Sequence, residues 1–252
     1  MIVSIACQKG GVGKTSTAIS LAAGLARKGK KVLLIDIDAQ ANSSKVLIHD
    51  YAKLSKEQTV YSTIIERKPL VVHPTYLPTL DIVPSHILIA DTDITLTTAI
   101  DHREARLKTA LDKIKDRYDF VFIDNPPALG WLTINSLTAS DSVLVVVSPG
   151  YFELDSIVQI SKTIANVQDN FNPQLHLLGL LFAMSDSTIN TQTSLQLLRQ
   201  AYTDKVLRTI IPRNVDLKDA HMQQQDIFAF NPKASAAKAY MTLIEEVFLP
   251  HG

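Results

Sequence analysis

The sequence predicts an α/β protein with a twisted, mostly parallel sheet and helices on both faces. Two observations favour this class. Continuous apolar runs of strand length recur along the chain, as expected for parallel strands that are buried on both sides. Between them lie segments with apolar residues at helical spacing. The 252 residues are enough for one domain with a sizeable core, so we predict a single domain over residues 1–252.

The predicted strands are mainly short apolar runs. They cover Ile2 to Cys7, Val32 to Ile35, Leu80 to Ser85, Phe120 to Ile123, Val143 to Val147, Leu177 to Phe182 and Val206 to Ile211. The predicted helices carry apolar residues three and four positions apart. They cover Ser16 to Arg27, Val60 to Glu66, Arg103 to Arg117, Leu132 to Ala139, Leu154 to Val167, Thr193 to Tyr202 and Ala234 to Phe248. Gly29 is suited to ending the first helix.

Composition narrows the class of function. The 25 basic and 25 acidic residues cancel, so the overall charge does not indicate nucleic acid, although a local basic face is compatible with it. The single cysteine, Cys7, excludes an internal disulfide and fits a reducing compartment. We see no signal peptide and no apolar run near the ~20 residues of a spanning helix, so we predict a cytoplasmic protein without stable membrane association.

The most informative stretch is Lys9 to Thr15, which lies between the first predicted strand and the first predicted helix. Its glycines allow consecutive backbone N–H groups to face a phosphate, and the following helix favours negative charge at its start. We predict that Lys14 contacts the β- and γ-phosphates of a nucleotide and that Thr15 reaches Mg²⁺. The loop is formed by Lys9, Gly10, Gly11, Val12, Gly13, Lys14, Thr15 and Ser16.

Carboxylates follow two predicted strands at the edge where α/β sheets bind ligands. Asp36 and Asp38 come directly after the second strand, and Asp124 comes directly after the fourth. Carboxylates close to a phosphate loop suit Mg²⁺ binding and the handling of water. The ordinary alternative for each of them is an aspartate in a turn or at a helix start.

The loop does not begin with the glycine of the usual G-x-x-x-x-G-K-[ST] pattern, and it carries a second lysine, Lys9. This K-G-G-x-G-K-[ST] pattern resembles the deviant Walker A motif of the ParA/Soj/MinD ATPases. Three further stretches, residues 32–40, 120–127 and 210–214, agree with that family in order. The resemblance covers most of the chain and implies a P-loop NTPase fold, bound ATP and Mg²⁺, and hydrolysis of ATP to ADP and phosphate.

The resemblance also implies residue roles. Lys9 would reach across a dimer interface to the partner's nucleotide, and Lys14 would act in cis. Asp38 would position or activate the attacking water. The metal site would be formed by Thr15, Asp36 and Asp124, and the adenine pocket would be lined by Pro212, Arg213 and Asn214.

The partners are implied by the resemblance as well. They are a second copy in an ATP-dependent sandwich homodimer, non-specific DNA of the nucleoid, and a ParB-like or McdB-like adaptor that stimulates hydrolysis. The cargo would be a plasmid, a chromosome or, in the McdA branch, a carboxysome. The candidate DNA contacts are Lys205, Arg208, Lys218, Lys233 and Lys238. Against them, Asp216 stands where an arginine often contributes to DNA binding in the family.

Three other functions fit the same scaffold less well. A MinD-like membrane-cycling ATPase needs a basic amphipathic C-terminal helix, whereas this chain ends acidic and is interrupted by Pro250. A small-molecule ligase or kinase needs an acceptor pocket, which no motif marks. A reductase like the nitrogenase iron protein needs two cluster cysteines per subunit, which Cys7 alone does not supply. The seven histidines are scattered without metal-ligand spacing.

Overall fold

A computed structural model describes residues 1–150 and 153–249, with the backbone alone at 153 and 154. The strands are β1 (Ile2–Ala6), β2 (Val32–Asp36), β3 (His73–Pro74), β4 (Leu80–Val83), β5 (Phe120–Asp124), β6 (Ser142–Val147) and β7 (His176–Phe182). The α-helices are α1 (Lys14–Arg27), α2 (Asn42–Leu47), α3 (Val60–Ile64), α4 (Thr92–Thr97), α5 (Arg106–Leu111), α6 (Trp131–Ala139), α7 (Glu153–Asn170), α8 (Ile189–Tyr202), α9 (Val215–Met222), α10 (Ile227–Phe230) and α11 (Ser235–Val247).

In the described part of the chain, the strands form one sheet in the order β3-β4-β2-β5-β1-β6-β7. Every neighbouring pair is parallel except β3 and β4. Successive residues of a strand face opposite sides of a sheet, and β2 shows the result. Leu34 packs into a core cluster with α1 and α11, whereas Leu33 and Ile35 pack into a second cluster with α3, α5 and α6. The predicted α/β class with helices on both faces is confirmed.

The register of the central strands sets up one edge of the sheet. Asp36 at the end of β2 lies directly opposite Asp124 at the end of β5. On the other side of β5, Ile5 of β1 is paired with Asp124, and the chain leaves β1 into the glycine-rich loop. The loop and the strand-end aspartates that the sequence singles out therefore share the carboxyl edge of the sheet.

The predicted strand from Val206 to Ile211 is wrong as a continuous strand. This segment runs parallel to β7 but makes only isolated bridges, from Val206 to Leu180 and from Pro212 to Ser185. The physical reason lies in α11. The carboxylate of Glu246 accepts hydrogen bonds from the backbone amides of residues 208 and 209, at 2.8 and 2.9 Å, which turns these amides away from β7. The seventh strand of the described sheet is instead β3, which lies at the edge opposite β7 and is missing from the sequence prediction.

The predicted helix from Arg103 to Arg117 is also wrong in extent. Only Arg106–Leu111 is α-helical, and a short 3₁₀ turn follows at Lys115–Arg117. Its start is displaced because Arg103 has other partners. The guanidinium of Arg103 donates to the carbonyl of Leu96 and lies 4.1 Å from the ring centre of Trp131.

The other predicted helices are found with shifted ends, and Gly29 ends α1 with a φ of 80°. Four helices, α2, α4, α9 and α10, are missing from the sequence prediction. Of these, α9 and α10 have a start that the sequence marks. Each begins after a residue whose side chain caps it, Asn214 for α9 and Asp226 for α10. Asparagine and aspartate before a helix are a recognisable start signal. The predictions that rest on the Leu154 side chain and on Pro250 lie outside the described residues.

Within residues 1–150 and 153–249, no helix is both long enough and apolar enough to span a membrane.

Candidate functional site

The loop between β1 and α1 has the backbone shape that its glycines predict. Gly11 and Gly13 adopt φ values of 75° and 98°, a region in which a side chain is strained. Gly13 lies directly before α1 and its carbonyl accepts the backbone N–H of Thr17 at 2.9 Å. Gly10, Gly11 and Gly13 line a cavity, so the start of α1 and the loop backbone face open space large enough for a ligand. This combination favours an anion.

The two lysines of the loop differ sharply in their surroundings. Lys14 is buried, with 6% of its surface exposed, and its Nζ donates to the carbonyl oxygen of Lys9 at 2.8 Å. Burial lowers the pKa of Lys14, and the nearby Cys7, Asp124 and Asp38 oppose that shift. Lys9 is exposed and is not among the residues that line the cavity. Lys14 is therefore a buried residue of the cavity lining, whereas Lys9 is an exposed residue outside that lining.

Asp124 is buried at the end of β5, with 1% of its surface exposed. Its Oδ2 accepts the hydroxyl of Ser43 at 2.7 Å. Its Oδ1 is buried without a hydrogen-bond partner among the described residues. Burial raises the pKa of Asp124, and the side chains of Ser43, Thr15 and Lys14 oppose the rise.

The donor set around Asp124 fits a magnesium ion. Asp124 has a buried carboxylate oxygen without a partner, and the Thr15 hydroxyl interacts with the same carboxylate. Carboxylate and hydroxyl oxygens are hard ligands of the kind that Mg²⁺ prefers. In the described ranges, no three His, Cys, Asp or Glu side chains cluster as a metal cage. Mg²⁺ suits such a site because it commonly keeps several waters and takes other ligands from substrate phosphates.

Asp36 is fully buried beside Asp124, but its carboxylate is directed toward α2. Its Oδ1 accepts the backbone N–H of Asp38 at 3.1 Å. Its Oδ2 accepts both the backbone N–H and the hydroxyl of Ser44, at 2.9 and 2.7 Å. Burial and then the neighbouring Asp124 raise the pKa of Asp36. Both oxygens of Asp36 thus already have protein partners.

Asp38 lies in the turn between β2 and α2 and lines the cavity. Its Oδ1 accepts the backbone N–H of Gln40 at 2.9 Å, and its carbonyl accepts the N–H of Ala41 at 2.8 Å. Ala41 adopts a φ of 51°, which is uncommon for a residue with a side chain and marks a tight turn. Asp38 is partly exposed, in contrast to Asp36 and Asp124.

The cavity has a volume of about 870 Å³, and its lining falls into two groups of residues. The group that we call the phosphate wall is the glycine loop, Thr15, Ser16 and Asp38, together with the buried Asp36 and Asp124 that adjoin them. The group that we call the base wall is Met184, residues 211–214 and α9. The structure thus brings the predicted phosphate-binding and base-binding residues to one cavity. Sequence reasoning missed further lining residues, which are Gln40, Asn42, Lys45, Val46, Pro127, Ala183, Met184, Ile211, Val215, Leu217, His221, Met222 and Tyr240.

The five predicted DNA contacts lie on several elements of the fold. Lys218, on α9, lines the cavity. Arg208 is 91% exposed and its Nε lies 3.6 Å from Glu246. The remaining three are exposed at separate points of the chain, Lys205 in a 3₁₀ turn, Lys233 before α11 and Lys238 on α11.

Comparisons with known proteins agree with this geometry. The family model described as "AAA domain" matches residues 1–177. The sporulation initiation inhibitor protein Soj of Bacillus subtilis is 40% identical over 249 residues, which is 98% of this chain and 97% of that protein. The similarity extends over the segments that line the cavity as well as over those that form the sheet.

Solved structures extend the comparison. Cobyrinic acid a,c-diamide synthase from Mycobacterium smegmatis, with bound ADP and magnesium, matches with a TM-score of 0.82 and 32% identity over 97% of this chain and 94% of that one. A putative plasmid partition protein from Borrelia burgdorferi, bound to AMPPNP, matches with a TM-score of 0.84 and 25% identity over 98% of both chains. McdA from Cyanothece, with a TM-score of 0.87 and 19% identity over 98% of both chains, shows a shared fold.

Proposed function

The chain belongs to the ParA/Soj family of partition ATPases, and from this premise we propose that it is an ATP-driven switch that positions or segregates a cargo. Family membership indicates that the domain binds and hydrolyses a nucleotide. The proposal adds an ATP-dependent sandwich dimer, non-specific DNA binding, and an adaptor protein that stimulates hydrolysis.

ATP binding follows from the phosphate wall of the cavity. The loop backbone and the N-terminus of α1 would hold the phosphates, and the buried ammonium of Lys14 would leave the Lys9 carbonyl to bind the β- and γ-phosphates. Thr15 and Asp124 would hold Mg²⁺, with Asp36 next to Asp124 on the adjacent strand. When bound, Mg²⁺ neutralises charge on the β- and γ-phosphate oxygens.

Hydrolysis requires a water that is aligned with the γ-phosphorus. Asp38 lines the cavity and is partly exposed. Its N–H donates to the carboxylate of Asp36, and its carbonyl accepts the N–H of Ala41, so its backbone is held in place. Its carboxylate would orient the attacking water, whose oxygen bonds to phosphorus as the bond to the ADP oxygen breaks. The products are ADP and inorganic phosphate.

The observation that carries the proposal is the contrast between the two loop lysines. Lys14 is buried and lines the cavity of its own chain, whereas Lys9 of the same loop is exposed and lies outside that lining. An exposed lysine next to the phosphate loop would be able to reach a nucleotide held by another copy. We therefore assign Lys9 to the partner's ATP, so that each subunit completes the site of the other.

The proposed cargo and the proposed DNA binding follow mainly from family membership. Lys205, Arg208, Lys233 and Lys238 are exposed and could contact DNA phosphates, while Lys218 would sense the nucleotide from the cavity wall. A ParB-like or McdB-like adaptor would act on the dimer at the nucleoid in the cytoplasm. The plasmid partition protein among the structural matches favours a DNA cargo, and a carboxysome cargo stays the alternative.

The direct test is light scattering of the purified chain with ADP or with a non-hydrolysable ATP analogue and Mg²⁺. We expect a monomer with ADP and a dimer with the analogue, and DNA binding by the dimer that falls steeply as salt rises. Lys9→Ala should weaken the dimer by about tenfold or more, since a charge-assisted hydrogen bond contributes about 1.5–3 kcal/mol. A monomer under all conditions would contradict the proposal.

A second candidate is an ATP-dependent amide-forming ligase. It is favoured by the 32% identity to the structure described as cobyrinic acid a,c-diamide synthase. The two candidates differ in their need for an acceptor. A switch releases phosphate from ATP with no small-molecule acceptor present, and DNA with the adaptor accelerates it. A ligase releases phosphate only when a carboxylic acid acceptor and a nitrogen donor are supplied.

A further inference from the structure

We propose that Ser43 and Ser44 are positioning residues for ATP hydrolysis, which tie the metal-binding carboxylate and the water-orienting turn to one short helix. The inference rests on the proposed ATPase function and assigns roles to two side chains that the motifs leave out. It starts from one geometric fact. Two consecutive hydroxyls on α2 donate to two different aspartates on neighbouring strands.

The contacts of the pair are short and fully buried. Ser43 Oγ donates to Asp124 Oδ2 at 2.7 Å, and Ser44 Oγ donates to Asp36 Oδ2 at 2.7 Å. Both serines and Asp36 have no exposed surface, and Asp124 has 1%. Buried hydrogen bonds to carboxylates are stronger than those between neutral groups, so these contacts fix the carboxylates firmly.

The geometry of sheet and helix explains why two adjacent residues can do this. Asp36 and Asp124 are paired in register on adjacent strands, which lie about 4.8 Å apart. Consecutive residues of an α-helix project about 100° apart around its axis, because a turn has 3.6 residues. A helix that lies across the two strand ends can therefore present one side chain to each strand.

The two serines orient different carboxylates. Ser43 orients Asp124 by occupying Oδ2, which leaves the partnerless Oδ1 for the metal site. Ser44 holds Asp36, and the other oxygen of Asp36 holds the backbone N–H of Asp38. Ser44 Oγ also accepts the backbone N–H of Ser85 after β4, at 2.9 Å. Ser44 thus connects the Asp38 turn to the sheet through Asp36, whereas Ser43 acts on the metal side.

This division predicts different kinetic effects. Without the hydroxyl of Ser43, Asp124 loses its orientation, so a higher Mg²⁺ concentration should be needed. Without the hydroxyl of Ser44, the Asp38 turn loosens while Asp124 keeps Ser43, so turnover should fall at an unchanged Mg²⁺ requirement. Loss of groups that orient a metal ligand typically lowers affinity or activity by about 10–100-fold.

The experiment compares Ser43→Ala, Ser44→Ala and the control Ser20→Ala. Ser20 is a buried serine on α1, 1% exposed, whose hydroxyl has no hydrogen-bond partner among the described residues. Each protein is assayed for kcat and KM of ATP hydrolysis, for melting temperature, and for the Mg²⁺ concentration that half-maximally strengthens binding of a fluorescent ATP analogue. The last measurement does not depend on turnover.

We expect Ser43→Ala to raise the half-maximal Mg²⁺ concentration and lower kcat, each by about tenfold, with little change in KM at saturating Mg²⁺. Ser44→Ala should lower kcat and the melting temperature with the Mg²⁺ requirement of the parent. Ser20→Ala should match the parent. The inference is overturned if Ser43→Ala matches Ser20→Ala in both Mg²⁺ requirement and kcat, or if both serine variants shift the Mg²⁺ requirement equally. A parent protein that binds Mg²⁺ and the analogue but does not hydrolyse ATP would instead contradict the proposed function.

Discussion

The two walls of the nucleotide cavity are built in different ways. On the phosphate wall, Lys14, Asp36 and Asp124 are buried. Lys14 is hydrogen-bonded within the loop, and the two aspartates are hydrogen-bonded to serines of α2. On the base wall, the side chains are more exposed, with Val215 at 76% and Met222 at 75%. The buried charged groups of the phosphate wall thus have hydrogen-bond partners before ATP binds, whereas the base wall offers exposed apolar surface to a ligand or to a second copy.

This difference teaches where the binding energy and the chemistry reside. Buried, hydrogen-bonded charges are strongly affected by loss of one partner, because the other group stays desolvated and unpaired. Exposed side chains contribute less, because water replaces the lost contact. Substitutions of the phosphate wall should therefore have much larger effects than substitutions of the base wall.

The largest effect is expected for Lys14→Ala. The buried ammonium donates at 2.8 Å within the loop and can make up to three hydrogen bonds to phosphate oxygens. Its removal should weaken ATP binding by about 100-fold or more, at about 1.5–3 kcal/mol per charge-assisted bond. Titration calorimetry measures this loss.

The matched control for Lys14→Ala is Lys45→Ala. Lys45 also lines the cavity and its Nζ donates to the carbonyl of Gln40 at 2.8 Å, but the residue is exposed. Its loss should change ATP affinity only a few-fold, by the argument from solvent exposure. Equal effects of the two substitutions would break the contrast between buried and exposed cations.

The next effect is expected for Asp38→Ala. This change removes the carboxylate that would orient the water and leaves Lys14, Thr15 and Asp124 in place. Hydrolysis should fall by about 100-fold or more, within the range of losing a general base, while ATP affinity stays within a few-fold. Single-turnover phosphate release measures the first and equilibrium binding the second. Retained turnover would exclude Asp38 from the chemistry.

A smaller effect is expected for Arg213→Ala on the base wall. Its backbone N–H donates to the carbonyl of Ser185 at 2.7 Å, and this bond survives the substitution. The exposed guanidinium should contribute one ordinary contact to the nucleotide, so ATP affinity should fall by about two- to tenfold, corresponding to roughly 0.5–1.5 kcal/mol. A loss as large as that of Lys14→Ala would show that the base wall is as decisive as the phosphate wall.

The smallest effect concerns pH. Burial lowers the pKa of His221, which lines the base wall, to about 4, from an ordinary value of 6.5. Between these values the unfolded chain binds the proton and the folded chain does not, so stability falls as pH drops from about 6.5 toward 4. In His221→Gln this part of the decline should disappear. Urea unfolding of both proteins at pH 7 and pH 5 tests it, and parallel declines would exclude His221.

The sequence predicts the phosphate wall better than the base wall, because the residues of the phosphate wall lie in short local segments. Residues 9–16 form their loop locally, and Asp36, Asp38 and Asp124 need only the ends of two strands to be recognised. The base wall combines Met184 after β7, residues 211–214 and α9, so it depends on long-range packing that no local pattern encodes. Asn214 is the one local signal on the base wall that predicts a helix start. Its Oδ1 accepts the backbone N–H of Asp216 at 2.7 Å and so caps α9.

The wrong strand from Val206 to Ile211 has the same origin. Its apolar pattern fits a strand, but two of its backbone N–H groups donate to the carboxylate of Glu246. Glu246 is 37 and 38 residues away along the chain, so no local pattern reveals this contact. Lys218 shows the limit for function. Its charge suggests a contact to DNA, and the sequence does not reveal that this exposed residue also lines the cavity. Ser43 and Ser44 carry no motif that marks them, and only the register of Asp36 with Asp124 reveals what they hold.

The most direct measurement of the central claim is light scattering, in ATP and Mg²⁺, of the variant Asp38→Ala and of the double variant Lys9→Ala with Asp38→Ala. Loss of hydrolysis should trap the single variant as a dimer. Loss of the exposed ammonium as well should return most of the double variant to the monomer, with ATP still bound through Lys14. A double variant that dimerises as tightly as the single one, or a single variant that stays monomeric at saturating ATP, would contradict a shared nucleotide site.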